Sequence, residues 1–402
     1  MNRSSWLIIV LLALAADTLP AQTFPEALAA ARRNDPLYAQ RQADVQLERL
    51  QARQARLSYL PSVGIGYRES DAGTSGWTTD AVLAQPLVDF DRLMQFRQGK
   101  PLDQRADATA KAVEQDLSRR VLKSMSDIIR ARETLRALNV QIQNLEGQTQ
   151  RAKRMRQLGQ GTLTEVSDFE VRLAAARANQ LSTNNALHTA ERAFILLTGI
   201  EPQAERITLE SVFPKGALQP LEWYRSGALR DNPSLELARR NTQLAEINVS
   251  RARSQYLPTV TGFVSYGKTE GAPGVDDTRI GVNLAVPLNT GYVLSSSRAV
   301  VELRRARDAE RYAEELVTNE TQRLHSQVAY LQREIVLREQ VIENAKLAVE
   351  GNLKGYQGGV RSNIDVVLAI QNQADAEVNL VNSQMTLLNS YLELEILRGG
   401  AL

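Results

Sequence analysis

The chain repeats its own punctuation, and that repetition constrains its fold more than any single motif. Asn34-Asp35-Pro36 returns as Asp231-Asn232-Pro233, and Ala55-Arg56 with Tyr59-Leu60-Pro61 returns as Ala252-Arg253 with Tyr256-Leu257-Pro258, all at an offset of 197 residues. Gln85-Pro86-Leu87 reappears as Val286-Pro287-Leu288, Glu165-Val166 as Asp365-Val366, and Leu197-Thr198-Gly199 as Leu397-Arg398-Gly399, the offset drifting only to about 201. Proline and glycine held in step over such a distance mark a tandem duplication. The expected units are a first repeat over 22–199, a connector over 200–219 and a second repeat over 220–402.

Within each half the elements come in the same order. A helix opening on proline is expected from Pro36 to Leu60 and again from Pro233 to Leu257. Proline suits a first helical turn, where its missing N–H has no partner to lose. Each helix ends at Tyr-Leu-Pro, because the second proline cannot continue it. A β-hairpin follows. Ile280, Val282, Leu284 and Val286 alternate with Arg279, Gly281, Asn283 and Ala285, and Val260, Val264 and Tyr266 alternate with Thr261, Ser265 and Gly267. Val63, Ile65 and Tyr67 keep the pattern in the first half, with Trp77 and Leu83 on one face of the returning strand. Period two describes a sheet with one apolar and one polar face. The Gly/Asp/Ser-rich stretches 70–76 and 269–277 read as turns. Four such strands do not close a barrel, and each hairpin alone leaves two open edges.

Long helices come next. From about Asp103 to Leu158 the apolar residues Val121, Met125, Ile128, Leu135, Leu138, Ile142 and Leu145 keep a three-four spacing, as do Leu324, Val328, Leu331, Ile335, Ile342, Ala345 and Val349 in the second half. This is a coiled-coil stripe. At 1.5 Å per residue each such helix reaches roughly 80–90 Å. Glycines then break the pattern (Gly159 and Gly161; Gly355, Gly358 and Gly359), and return helices run over Thr162–Thr198 and Ser362–Gly399.

The first residues read as an export signal over 1–21: Asn2-Arg3, an apolar run from Trp6 to Ala16, then Leu19-Pro20-Ala21 ahead of a mature start near Gln22. That run is too short to span a bilayer as a helix, and no later stretch reaches even a dozen unbroken apolar residues, so only a β-barrel can carry this chain across a membrane. With no cysteine, neither a thiol-linked lipid anchor nor a disulfide framework is expected. Lys and Arg number 48 against 46 Asp and Glu, which leaves no basic footprint for nucleic acid. Aromatic content of 5% alongside abundant alanine suits long helices with narrow apolar stripes. Catalytic chemistry finds no foothold. His188 and His325 stand without ligand-spaced partners, and Gly64-Ile65-Gly66 lacks the third glycine of a dinucleotide fold. No metal, cofactor or enzymatic activity is expected.

Tyr-Leu-Pro before each hairpin, Pro-Leu after it, the duplicated long helical hairpins and the stretch Tyr356-Gln-Gly-Gly-Val-Arg361-Ser-Asn-Ile-Asp365-Val366 together resemble the TolC family of outer-membrane efflux proteins, over essentially the whole mature chain. The resemblance implies a mainly α fold with a transmembrane β part: a homotrimer in which each chain gives four strands to a 12-stranded barrel, continuing as an α-helical periplasmic tunnel. It also implies a passive exit duct of a tripartite efflux or type I secretion system, working with a periplasmic adaptor and an inner-membrane pump. Three copies of two hairpins remove every open edge. Tyr67, Trp77 and Tyr266 then belong at an interfacial aromatic level.

By the same resemblance the tunnel closes at its periplasmic tip through a latch of Glu165, Tyr356, Arg361 and Asp365. An Arg fork and a phenol converging on a carboxylate make charge-assisted links. As acids in first helical turns, Glu165 and Asp365 also serve the helix dipole. Glu165 is one methylene longer than the Asp of the best-known member. Asp365 corresponds to one of the family's lumen-narrowing acids, and Leu368 stands where that member has a second. Gly159, Gly161, Gly358 and Gly359 fall where family members dock the hairpin tips of an adaptor, and glycine there permits positive φ and close backbone approach. The rival from another class is a periplasmic adaptor or coiled-coil scaffold, which also carries long hairpins.

Overall fold

A computed structural model describes residues 22–70, 76–208, 218–270, 275–287 and 291–400. The proposed signal (1–21), the hairpin apices (71–75 and 271–274), part of the connector (209–217), Leu288 and the side chain of Trp77 lie outside what is described. In chain order, strand β1 (Gln22–Thr23) leads into helices α1 (Phe24–Asn34) and α2 (Pro36–Leu57), strands β2 (Ser62–Ser70) and β3 (Gly76–Val88), and helices α3 (Phe90–Gln157) and α4 (Leu163–Thr198). A 3-10 turn and β4 (Ile207–Thr208) precede the second pass: α5 (Leu221–Asp231), α6 (Pro233–Ser254), β5 (Thr259–Glu270), β6 (Val275–Ala285), α7 (Gly291–Gln357) and α8 (Asn363–Leu397).

The repeated Asn/Asp-Pro punctuation turns out to join two helices rather than start one. Asp35 closes α1 with its backbone and caps α2 with its carboxylate, which accepts from the N–H groups of Leu37 and Tyr38. Asn232 does the same between α5 and α6, accepting from Ser234 and Leu235. Proline directly after the cap fixes the φ of the new first turn. The short helix α1 carries a Thr23–Glu26 capping box, Pro25 in its first turn and an apolar face of Phe24, Ala27, Leu28 and Ala31, whereas α5 has no side-chain cap and buries only Tyr224, Gly227 and Ala228. Both Pro-led helices also stop short of the expected ends, at Leu57 and Ser254, because the residues before Pro61 and Pro258 form a separate turn.

The two hairpins form one sheet. Its strand order is β2-β3-β5-β6, antiparallel throughout, with Leu83 opposite both Val63 and Val264, and Val264 opposite Ile280. Pairing β3 with β5 removes one edge from each hairpin, so the chain keeps two edges rather than the four that isolated hairpins present. The register sets Val63, Ile65, Leu83, Val264, Tyr266, Ile280, Val282 and Leu284 on one face, and Gly64, Gly66, Asp80, Ser265, Arg279 and Asn283 on the other. Pro86 sits at a register shift in β3, where a missing N–H costs the ladder little. The strands also run further than the turn-rich composition suggests, covering Ser70, Gly76, Thr269 and Val275–Asp277.

Helix α3 spans 68 residues, about 100 Å of rod. It starts at Phe90, well before the Asp103 expected from the apolar stripe, and runs through a buried Pro101. Packing supplies what the local sequence lacks. Asp89 caps the first turn, and Arg56–Asp103 (2.8 Å), Arg251–Asp91 (3.1 Å) and Gln98–Asn248 (2.6 Å) tie this segment to α2 and α6. A Cβ at Gly99 would stand 2.4 Å from the Arg56 Cγ, so glycine lets α2 lie close just ahead of the proline. Lower down, α3–α4 and α7–α8 are antiparallel hairpins lying side by side through α3 and α8. Among the buried clusters that hold them, Leu324, Val328, Leu331, Leu387 and Leu394 join α7 to α8, and two more involve α3. The first gathers Phe24, Leu117, Met125, Ile128, Phe194, Leu388 and Leu392 around α1; the second lies by the Gly-rich turns, with Leu145, Val166, Phe169, Val366 and Ile370.

Candidate functional site at the paired helical tips

The two Gly-rich turns share one backbone. At the first, Gly159 takes φ +72°, its N–H donates to the Arg156 carbonyl at 3.0 Å, and the Gln160 N–H reaches Met155 at 2.9 Å. At the second, Gly359 takes φ +73°, with Gly359 to Tyr356 at 3.2 Å and Val360 to Gly355 at 2.9 Å. A side chain is strained at positive φ, so glycine ends each helix. Each return helix then opens on a capping box. Thr162 accepts from the Glu165 N–H (3.2 Å) while its own N–H donates to the Glu165 carboxylate (2.9 Å). Ser362 and Asp365 repeat this at 3.3 and 2.9 Å, with the Ser362 hydroxyl donating to the same carboxylate at 3.0 Å.

Of the sequence-predicted latch, Tyr356 and Glu165 interact electrostatically across the two tips, with no hydrogen bond between them among the described residues. Tyr356 is half-buried, its ring edge-on to the buried Phe169 with centroids 6.5 Å apart. Burial pushes the phenol pKa up, the Glu165 carboxylate adds to the rise, and Arg151 works against it. Arg361 follows another course. Its Cγ lies 2.6 Å from where a Cβ at Gly355 would stand, so its stem crosses a helix face that only glycine leaves open. Among the described residues no ion pair joins Arg361 to Glu165 or Asp365. The Asp365 carboxyl is held below its ordinary pKa by the Ser362 N–H, then the Ser362 hydroxyl, with a smaller contribution from Arg361. Leu368 and Ile364 are exposed on α8, between the buried Asn363, Val366, Val367 and Ala369.

The glycines at the turns differ in their surroundings. Nothing lies within 4 Å of a Cβ position at Gly159 or Gly359, whereas at Gly161 a Cβ would meet the Arg156 backbone nitrogen at 3.0 Å; Gly358 has only carbonyl oxygens at 3.6 and 3.7 Å. Sequence reasoning missed three contributors. Asn363 donates to Asp168 at 3.1 Å and so joins the two tips, Gln141 donates to Gln371 at 2.6 Å between α3 and α8, and Phe169 seats Tyr356. Gly355 carried a legible signal, since the first tip has Met155 at the matching position. His188 faces Glu191 at 3.2 Å and His325 faces the Gln219 carbonyl at 2.9 Å, each in a surface setting.

Comparison with known proteins gives one answer at sequence and fold level. The model of a family described as outer membrane efflux protein matches residues 27–200 and 225–400. The outer membrane protein TolC of Vibrio cholerae is 26% identical over 93% of this chain and 90% of its own length. The alkaline protease secretion protein AprF of Pseudomonas aeruginosa is 24% identical over 82% and 71%. In fold, the crystal structure of the outer membrane protein VceC from Vibrio cholerae superposes with a TM-score of 0.81 at 19% identity, covering 94% of this chain and 96% of that one. With the family matched along most of both halves, the chain belongs to the outer membrane efflux protein family.

Proposed function

We propose that three copies of this chain assemble into an outer-membrane exit channel, a passive duct that crosses the outer membrane as a barrel and the periplasm as a helical tunnel. One observation carries this reading: a four-stranded sheet, apolar on one face and open at both edges, on helices about 100 Å long. The edge residues Ile65 and Ile280 are 80% and 81% exposed. An adaptor or scaffold has no use for such a sheet. Joining β2 of one copy to β6 of the next pairs both edges and leaves the apolar face to lipid. Relatives named for protease secretion and for efflux support a place in type I secretion or tripartite efflux, with an adaptor and an inner-membrane pump as partners.

The latch is Glu165, Tyr356, Arg361 and Asp365. Within a chain the Glu165 charge acts on the Tyr356 phenol, and Arg361 acts on Asp365 without pairing with it, which leaves its guanidinium for an acid of the neighbouring copy. Exposed pairs of this kind are worth about 0–1 kcal/mol each, enough in threefold repetition to hold a tip shut and weak enough to release on docking. Gly159, Gly161, Gly358 and Gly359 form the adaptor-docking turns. Fractionation of the full-length protein tests the assembly: we expect a heat-resistant trimer in the outer membrane, and recovery as a soluble periplasmic monomer would reject the reading.

A further inference from the structure

The duplication supplies an internal control for charge. The two tips share turn geometry and capping boxes, yet residues 147–158 carry Arg151, Lys153, Arg154 and Arg156 and no acid, while residues 347–358 carry only Glu350 and Lys354. The end of α7 is balanced, since Lys354 pairs with Glu350 at 2.5 Å, and Arg361 past the turn is the second tip's one cation without an ion pair among the described residues. In the first, Lys153 pairs with Glu170 at 2.8 Å. Arg151, Arg154 and Arg156 are exposed, and their side chains make no hydrogen bond or ion pair with a described residue.

Basic residues near a helix C-terminus favour its dipole, but the second tip builds the same turn with one lysine. The excess charge of the first tip is therefore surplus to the fold. Met155 and Leu158 stand exposed beside these arginines. Arginine and methionine amid apolar surface is the composition of a protein-binding patch, since interfaces are enriched in both. The patch lies at the far end of α3 from the sheet, and its position fits a protein reaching up to the tip better than the outer-membrane surface.

We infer that the two tips are unequal docking sites, and that the segment seated on the first one belongs to a partner protein and presents carboxylates to Arg151, Arg154 and Arg156. This rests on the docking reading given above. It adds the chemistry of the partner and assigns it to one tip of the two. Arg151 also acts on the Tyr356 phenol, so the patch borders the latch.

The test uses the full-length channel in nanodiscs with a fluorescent poly-L-glutamate peptide as probe. Binding should weaken as salt rises. Arg151→Gln/Arg154→Gln/Arg156→Gln should weaken it about tenfold, roughly 1.4 kcal/mol, while Lys354→Gln leaves it unchanged. The corresponding triple Lys variant should restore binding, which separates charge from folding; retention of the heat-resistant oligomer checks assembly. Equal binding by the wild type and the triple Gln variant overturns the inference, as does binding of phosphatidylglycerol vesicles in place of the peptide. A photo-cross-linker at Leu158 and at Val360, in cells making the channel with its adaptor, separates the two levels. No adaptor adduct at either position overturns the docking reading itself. Adducts at both whose yield ignores the triple Gln substitution overturn only the assignment of charge.

Discussion

Glu165 and Asp365 each have a structural task before any gating task. Both are third residues of their helices and both satisfy the backbone of the residue that caps them. For Asp365 the consequence is a pH dependence of known sign. A carboxyl whose folded pKa is depressed contributes stability above its unfolded value and loses it as pH falls through the folded one. Hydrogen-exchange protection of the 362–366 amides should therefore hold from neutral pH to about pH 5 and fall below about pH 4; constant protection down to pH 2 would contradict the capping role. Arg361 makes only a small electrostatic contribution at Asp365 and no ion pair with a described residue, which leaves its guanidinium available to a neighbour. Arg361→Ser should raise single-channel conductance in planar bilayers, and an unchanged, closed-like conductance would remove it from the latch. At this scale the sequence displayed residue types but not their company. That Tyr356 rests on Phe169 and feels the Glu165 charge depends on two hairpins nearly two hundred residues apart meeting at their ends.

Among the elements, the stripe of α3 between Val121 and Leu145 was legible because burial on one side of a long helix recurs at three-four spacing. The segment 90–102 was not, because a proline and a glycine argue locally against helix and only α2 and α6 outvote them. The joint at Asp35 and Asn232 was half-legible: the proline announced the second helix, Thr23, Pro25 and Glu26 announce α1, and α5 has no comparable cap. The central cluster makes one strong prediction. Ile128 is fully buried there with Met125 and Leu388, so Ile128→Ala should cost about 2–5 kcal/mol, read as a lower midpoint in denaturant melts of the detergent-solubilised protein. A loss below about 0.5 kcal/mol, the level of an ordinary surface change, would show that this cluster does not hold α3 to α8.

The whole molecule is unfinished as a single chain. Its sheet ends in β2 and β6, whose apolar residues Val63, Ile65, Ile280 and Val282 have a cross-strand neighbour on one side only and stay exposed. Ile280→Arg puts a charge on that face, at a cost of about 2–4 kcal/mol near the bilayer midplane. Recovery of outer-membrane trimer should fall sharply while Ser265→Arg, on the polar face, leaves it intact. Equal recovery of the two variants would mean the apolar face does not meet lipid.

What the sequence determined by itself was local or periodic: the duplication, the alternating strands, the glycine turns and the coiled-coil stripes. Each follows from backbone geometry or from burial on one side of a regular element, and both leave marks at fixed spacing. The tertiary structure alone decided that β3 pairs with β5, that α3 and α8 lie together, and that Tyr356 packs edge-on to Phe169 at the paired tips. Those outcomes depend on packing between distant segments, whose free energy is shared over many side chains and leaves no periodic trace in any one of them.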